Sequence, residues 1–407
     1  MRLLLTSHPT SSHLLPALVP LAQVARALGH EVAVATASAM AGELAAHGVP
    51  CLPLRDIPDQ QAMRTDPELT RRYGLPTEMR RPGERFVYAA AWQKFSRAYA
   101  GPVALHLAQS LLAEDWQPDV IVSEATEHGG RLAASVLGVP HVVLDNNPVT
   151  SLQRSITEPV LREQLAELSY PGELPPPRRA GLLPERCYPA EVAASAIGHY
   201  RVPGPLLNQP RLQPELAALP TDRPLALMSL GSLILTMQVM DDLLDPILRA
   251  LGELPCEVIV TLGGSPVAAT ALGPFPANVH VVDYVPQAAL LESCRLFITH
   301  AGFNAYREGL AAAVPMVAMP LIADQPVNSE RIVALGVGEQ LDMESFTAAE
   351  FTAACVRMLT EPAPRRNARA VQRELLTLPG LEQLVRDLEA LPVPRVLSTC
   401  QSGDLRP

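Results

Sequence analysis

Short apolar runs alternate along this chain with stretches of helical apolar spacing, and that alternation leaves few folds open. Residues 2–5 form an apolar run, residues 6–12 a polar loop with Pro9, and residues 13–28 carry apolar side chains at helical spacing. Gly29 stands where a helix would close on a left-handed residue. A second run at 31–35 and a helix over 39–47 follow, ended by Gly48-Val49-Pro50. The rhythm returns with a strand at 120–122, a helix near 129–137, Gly138-Val139-Pro140 and a strand at 141–144. Strand–helix–strand–helix order predicts an α/β fold with a parallel sheet covered by helices on both faces.

A chain of 407 residues is too long for one ordinary core and suits two domains of about 200 residues. The prolines of 201–224 mark the linker. A second α/β domain then follows, with strands at 225–230, 257–261, 279–282, 296–299 and 316–319. The expected division is 1–215, 216–374, a C-terminal helix within 375–394 (pattern 375–391) packing back toward the N-terminal domain, and a tail at 395–407. Residues 56–100 carry many charges and no clear strand, and read as helices and loops over one sheet edge. The proline-rich stretch 171–189 reads as a surface loop. Ligands of open parallel sheets sit at the C-terminal ends of the strands, so functional residues are expected just after strands.

Composition removes several function classes. The net charge is −10, which argues against a nucleic-acid partner, because phosphate backbones need a basic footprint. It leaves room for one anionic ligand at a helix N-terminus. No apolar run reaches the ~20 residues of a membrane span. The opening Met1-Arg2-Leu3-Leu4-Leu5 is cut short by Thr6-Ser7-His8-Pro9, too early for a secretory segment, so a cytoplasmic protein is expected. Six cysteines lie far apart without a Cys-x-x-Cys pair and read as buried free thiols. No metal site and no cofactor are expected. Asp241, Asp242 and Asp245 read as a solvated acidic face, and Gly263-Gly264-Ser265 as a plain loop.

Four post-strand loops of the second half concentrate polar and glycine residues. They are Ser229-Leu230-Gly231-Ser232, Asp283-Tyr284-Val285-Pro286-Gln287, His300-Ala301-Gly302-Phe303-Asn304 and Pro320-Leu321-Ile322-Ala323-Asp324-Gln325. Gly302 allows close backbone approach. Asn304 suits a helix N-cap, and the free N–H groups beyond it suit a diphosphate. His300 can add a hydrogen bond or a charge. Glu308, one turn on, can accept from ribose hydroxyls.

The stretch from Tyr284 to Gln325 resembles the sugar-donor signature of family 1 glycosyltransferases. That signature is aromatic-x-Pro-Gln, then His-x-Gly-aromatic-Asn with Glu four residues on, then Pro-x-x-x-Asp/Glu-Gln. The resemblance implies the GT-B fold, two Rossmann-like domains facing across a cleft. It implies that Tyr284 stacks on a pyrimidine, that the Val285 backbone pairs with its edge, and that Gln287 and Glu308 hold the ribose. His300, Gly231, Ser232, Gly302, Phe303, Asn304 and the Ala305 backbone would surround the diphosphate, and Asp324 and Gln325 would read sugar hydroxyls. Tyr284 stands where plant members usually show Trp. Ala305 stands where Ser or Thr often supplies a hydroxyl.

The family also places a histidine base at the start of the first helix, before a proline. His13-Leu14-Leu15-Pro16 matches, with Ser12 in place of a glycine. An unperturbed imidazole near pH 6.5 suits base work, and His8 is the competitor. The carboxylate orienting such a histidine follows a strand about a hundred residues on: Glu124 here, with Glu127 second and Asp119 at the wrong end of the strand. The expected function is inverting transfer of a sugar from a UDP- or dTDP-sugar to a small hydrophobic, natural-product-like acceptor, in a monomer or homodimer. A sugar-nucleotide epimerase and a non-catalytic nucleotide-sugar-binding protein remain alternatives. Met63, Tyr73, Phe86, Tyr88 and Trp92 line an acceptor pocket or pack a core.

Overall fold

The computed structural model describes residues 1–55, 57, 62–63, 66–75, 88–203, 211–231, 241–262, 274–343 and 345–392, with the side chains of 88–92 and 241–245 set aside. The first sheet contains β1 (Arg2–Thr6), β2 (Glu31–Ala37), β3 (Cys51–Leu54), β4 (Val120–Glu124), β5 (His141–Leu144), β6 (Arg178–Gly181) and β7 (Ala196–His199). The second contains β8 (Leu225–Ser229), β9 (Glu257–Thr261), β10 (Val279–Val282), β11 (Leu296–Thr299), β12 (Met316–Ala318) and β13 (Gly338–Gln340). Every pairing is parallel. The strand orders are β3-β2-β1-β4-β5-β6-β7 and β10-β9-β8-β11-β12-β13. Two parallel-sheet α/β domains of Rossmann-like order thus form the molecule, the GT-B arrangement.

Sequence explains why the central strands form. β4, β9 and β11 are buried along their whole length, and β-branched residues with both faces covered are what a parallel sheet selects. In each sheet the order in which strands are added reverses between two parallel neighbours, β1 with β4 and β8 with β11. A crevice opens at such a switch point, at the C-terminal strand ends. Thr6, Glu124, Ser229 and Thr299 are the last residues of those four strands.

Several expectations are corrected. β3, β6, β7 and β13 were not expected as strands. β6 lies inside the proline-rich stretch read as a surface loop, where Arg179, Ala180, Leu182 and Leu183 are buried. Its sequence, Arg-Arg-Ala-Gly, has no apolar alternation. Arg179 is held instead by a buried ion pair with Asp145 and by the Asn147 carbonyl at 3.1 Å. The helix expected over 13–28 has three parts: Ser11–His13, a π-helical turn Leu14–Leu18, and Val19–Ala27. Gly29 closes it at φ +87°. The helix expected over 375–391 is broken: one helix, Pro362–Thr377, stops before Pro379-Gly380, and Leu381–Glu389 begins anew. Met63 and Tyr73 pack in the core with Leu54 and Leu75. Phe86 and the side chains of Tyr88, Trp92, Asp241, Asp242 and Asp245 lie outside the described residues, as do Ser232, Gly263-Gly264-Ser265, linker residues 204–210 and Cys400. Of the described cysteines, four are buried free thiols and Cys51 is half-buried. No described helix is long and apolar enough to cross a membrane.

The two domains share one apolar core. It runs from Leu14, Leu18 and Tyr200 to Phe303, Tyr306 and Leu310. Leu381–Glu389 packs on Val19–Ala27, with Tyr200 Oη donating to Asp387 at 2.6 Å.

Candidate active site

His13 sits in the short turn after β1, and its Nδ1 lies 3.2 Å from Oε1 of Glu124 at the end of β4. The side chain of His13 is 28% exposed and that of Glu124 only 1%. A carboxylate accepts, so Nδ1 carries the proton and the lone pair is on Nε2, the tautomer a general base requires. Glu124 is itself fixed. Thr126 donates its N–H at 2.7 Å and its hydroxyl at 2.8 Å, and Asn146 Nδ2 donates at 3.2 Å. Asn146 in turn accepts the Ala125 N–H at 2.9 Å. Burial alone would raise the Glu124 carboxyl. The attraction and hydrogen bond of His13, the attraction of His8 and the Thr126 N–H outweigh it, and hold the group far below the usual carboxylate range.

Glu127, the second candidate, does other work. It accepts from the Thr6 hydroxyl and from the Gly130 N–H at 3.1 Å, at the start of helix Gly129–Leu137. Burial pushes it up to about 7. His8 is 1% exposed, and its Nε2–H donates to the Thr126 carbonyl at 3.0 Å. A ring so enclosed cannot meet an acceptor hydroxyl. Asp119 accepts the Arg2 N–H at the opposite end of the sheet.

On the facing domain, His300 follows β11. Its Nδ1–H donates to the Ser229 carbonyl at 3.4 Å, and burial pushes the ring down to about 4. The ring occupies a slot between two glycines. A Cβ on Gly302 would lie 2.5 Å from its Nε2, and one on Gly231 2.8 Å away. Gly231 has φ +79°, a second reason for glycine there. Both positions therefore make room for the imidazole, whereas sequence reasoning had assigned Gly302 to ligand approach. Neighbouring Ala301 and Ala323 also adopt left-handed φ, +62° and +59°, strain of the kind that gathers at functional loops.

The cap of helix Phe303–Ala311 is Gly302 rather than Asn304, the expected N-cap. Asn304 is the second helical residue, and its Nδ2 donates across to the Ser12 carbonyl at 2.9 Å. Arg307 does the same to the Pro16 carbonyl at 3.2 Å. The donor-side helix is thus tied to both ends of the His13–Pro16 segment. Asp324 Oδ2 accepts the Phe303 N–H at 2.7 Å and Asn328 Nδ2 at 2.8 Å. Burial pushes Asp324 up to about 6, against the hydrogen bonds from Phe303 and Asn328 and the attraction of His13 across the cleft. Of the first N–H groups of this helix, which lack intrahelical partners, Phe303's is taken by Asp324. Those of Asn304 and Ala305 come next.

Gln287 Nε2 donates to Glu308 Oε2 at 2.8 Å, so the structure brings these two side chains together. Tyr284 is 46% exposed while Val285 is buried, leaving an aromatic face open above a fixed backbone. Gln325 Oε1 accepts the N–H groups of Leu321 and Ile322 at 2.8 and 2.9 Å. Sequence reasoning missed Asn146, Thr126, Asn328 and Arg307. Single polar residues in loops carry no periodic signal, and only their partners reveal them.

These environments fix a pH response. His8, His128, His141 and His300 are shielded, and burial lowers all four, His128 and His141 to about 3. Below the unfolded histidine value near 6.5 the unfolded chain takes up these protons first, so stability falls as pH falls. Glu127, Glu308 and Asp324 are raised by burial and act with the opposite sign. Four imidazoles outweigh three carboxyls. The melting temperature is expected to drop between pH 7 and pH 5, as thermal-shift scans in matched buffers will test; a flat or rising trend contradicts the neutral imidazoles.

Comparisons with known proteins bear on the family and the fold. Residues 245–391 match the family described as "Erythromycin biosynthesis protein CIII-like, C-terminal domain". The L-demethylnoviosyl transferase of Streptomyces niveus is 29% identical over 389 residues, covering 92% of this chain and 93% of that protein. The oleandomycin glycosyltransferase of Streptomyces antibioticus is 30% identical over 301 residues, covering 67% and 68%. The crystal structure of the glycosyltransferase SnogD from Streptomyces nogalater superposes with a TM-score of 0.75 at 25% identity, covering 96% of this chain and 99% of that one. With its two facing parallel-sheet domains and its donor signature, the chain belongs to the family 1 natural-product glycosyltransferases, nucleotide-sugar-dependent enzymes of GT-B fold.

Proposed function

We propose that the enzyme transfers a sugar, with inversion, from a UDP- or dTDP-sugar to a hydroxyl of a hydrophobic antibiotic aglycone, with His13 as general base. The observation that carries this is the placement of His13, bonded to Glu124 at 3.2 Å, beside the helix whose Asn304 grips the Ser12 carbonyl at 2.9 Å. In the step, the acceptor hydroxyl gives its proton to His13 Nε2 while its oxygen attacks the anomeric carbon. The bond from that carbon to the diphosphate oxygen breaks, and its electron pair leaves with the nucleoside diphosphate. Glu124 stabilises the imidazolium that forms.

The leaving charge falls to the donor side. The N–H groups of Asn304 and Ala305 and the helix dipole offer fixed positive ends. His300 in its resting tautomer presents a lone pair at Nε2, so it donates to a phosphate oxygen only after taking up a proton there. Tyr284 supplies the stacking face for the base, and Gln287 with Glu308 the acceptors and donor for the ribose. The acceptor class rests on relatives, one of which is named for oleandomycin.

The test is a thermal-shift panel with UDP, dTDP, GDP and NAD on wild type and His300→Ala. A pyrimidine diphosphate at a hundred times its Kd is expected to stabilise wild type by about 2.7 kcal/mol, and His300→Ala to lose most of that gain. Failure of both UDP and dTDP to raise the melting point sinks the donor assignment. Acceptor-dependent release of the nucleoside diphosphate then separates transfer from epimerisation.

A further inference from the structure

Five arginines, Arg295, Arg365, Arg366, Arg369 and Arg373, line one cavity of about 540 Å³ on the second domain, facing a single carboxylate, Glu361. This is unusual company in a chain of net charge −10. Among the described residues none of the five is ion-paired, whereas Arg131, Arg179 and Arg357 each have a carboxylate. Nε and Nη1 of Arg365 are buried without a hydrogen-bond partner. Burial, with Arg295 and Arg369 close by, lowers the Arg365 guanidinium, so these like charges crowd one another.

The arrangement is costly to the free protein. Arg365, Arg369 and Arg373 repeat at four-residue spacing on helix Pro362–Thr377, and like charges so spaced weaken a helix. Helix dipoles do not explain the sign. Helix Ala348–Thr360 ends and Pro362–Thr377 begins at Glu361, so opposed dipole ends meet there and largely offset.

The cavity is also separate from the donor site. Arg295 precedes β11 and His300 follows it. At about 3.3 Å per strand residue, the two lie roughly 15 Å apart on opposite ends of the sheet.

We propose that this arginine cavity is a second anion site, built for a diphosphate group. Unpaired guanidinium forks match phosphate oxygens in geometry and charge, and the volume admits two linked phosphates. That chemistry occurs in inorganic pyrophosphate and in a nucleoside diphosphate.

The test is calorimetric titration of the full chain with inorganic pyrophosphate, in wild type, in Arg365→Gln/Arg369→Gln and in His300→Ala. Wild type is expected to bind with Kd below about 1 mM at 0.15 M salt. The double variant is expected to lose about tenfold or more in affinity at one site, the order of one charge-assisted hydrogen bond or more, and His300→Ala to keep that site. A merely structural role predicts a lowered melting point for the double variant; relief of repulsion predicts an unchanged or raised one, with the pyrophosphate-induced shift reduced. Unchanged binding in the double variant, or complete loss in His300→Ala, overturns the proposal. Titrating UDP and dTDP into His300→Ala separates the sources: binding as tight as pyrophosphate assigns the site to a nucleotide, and absence of binding to the inorganic anion.

Discussion

Replacing His13 by alanine is expected to lower kcat for sugar transfer by about 10²–10⁴-fold, the range a positioned general base supplies, with nucleoside diphosphate binding retained. The expectation comes from the dyad. Glu124 is buried and stays ionised, and it holds Nδ1–H at 3.2 Å so that Nε2 must be the basic nitrogen. Removing the ring removes the only proton acceptor that this arrangement prepares. Glu124→Gln is the companion variant. It keeps an acceptor for Nδ1–H but loses the charge that favours the imidazolium, so the acidic limb of the pH–rate profile is expected to move to lower pH. Steady-state kinetics of both variants with a competent donor and acceptor decide the matter. An alanine variant retaining more than a tenth of wild-type kcat would exclude His13 as the base, and His8, enclosed at 1% exposure, would be no replacement.

Arg179→Ala is expected to cost about 3–5 kcal/mol of stability, the toll of leaving one member of a buried ion pair behind. Arg179 and Asp145 have side chains only 2% and 3% exposed, and burial lowers the guanidinium to about 10. Arg179 also reaches the Asn147 carbonyl, so it pins the segment after β5 to the strand β6. Without it, Asp145 is a carboxylate enclosed beside the Asn146 that orients Glu124. Activity is therefore expected to fall together with stability. Replacing both partners, as Arg179→Met with Asp145→Leu, is expected to recover much of the loss, because no unpaired charge remains. Urea denaturation of the three proteins measures it. A cost below about 1 kcal/mol for Arg179→Ala would mean that water reaches Asp145 and the pair is not sealed.

Residues 120–124 and 296–299 illustrate what a sequence carries. Each opens on a three-residue apolar run, Val120 to Val122 and Leu296 to Ile298, and both form central strands within two residues of the expected limits. Their burial on two faces demands such side chains, so pattern and structure coincide. β6 illustrates the contrary. Arg-Arg-Ala-Gly has no strand pattern, and its place in the sheet depends on Asp145, 34 residues away in sequence. The same division runs through the site. His13 and the Tyr284–Gln325 stretch were singled out by their resemblance to the family 1 pattern, whose short spacings lie just after strands. Glu124 could be ranked above Glu127 only by the family's habit, since both follow one strand. Their packing separates them: Glu124 turns to His13, and Glu127 to Thr6 and Gly130.

Taken alone, then, the sequence determined the alternation of strand and helix, the two parallel sheets and the loops in which the functional groups lie. Local periodicity and turn chemistry set these, and both act over a few residues. Tertiary structure decided the partners. Gly302 and Gly231 yield their space to the His300 ring, Asp324 rather than Asn304 meets the Phe303 N–H, and Asn304 reaches across to Ser12. Apart from the Gly302–His300 packing, these contacts join residues far apart in the chain or in different loops. Their energy depends on distance, burial and the direction of a donor, which exist only once both sheets are formed and packed on one another.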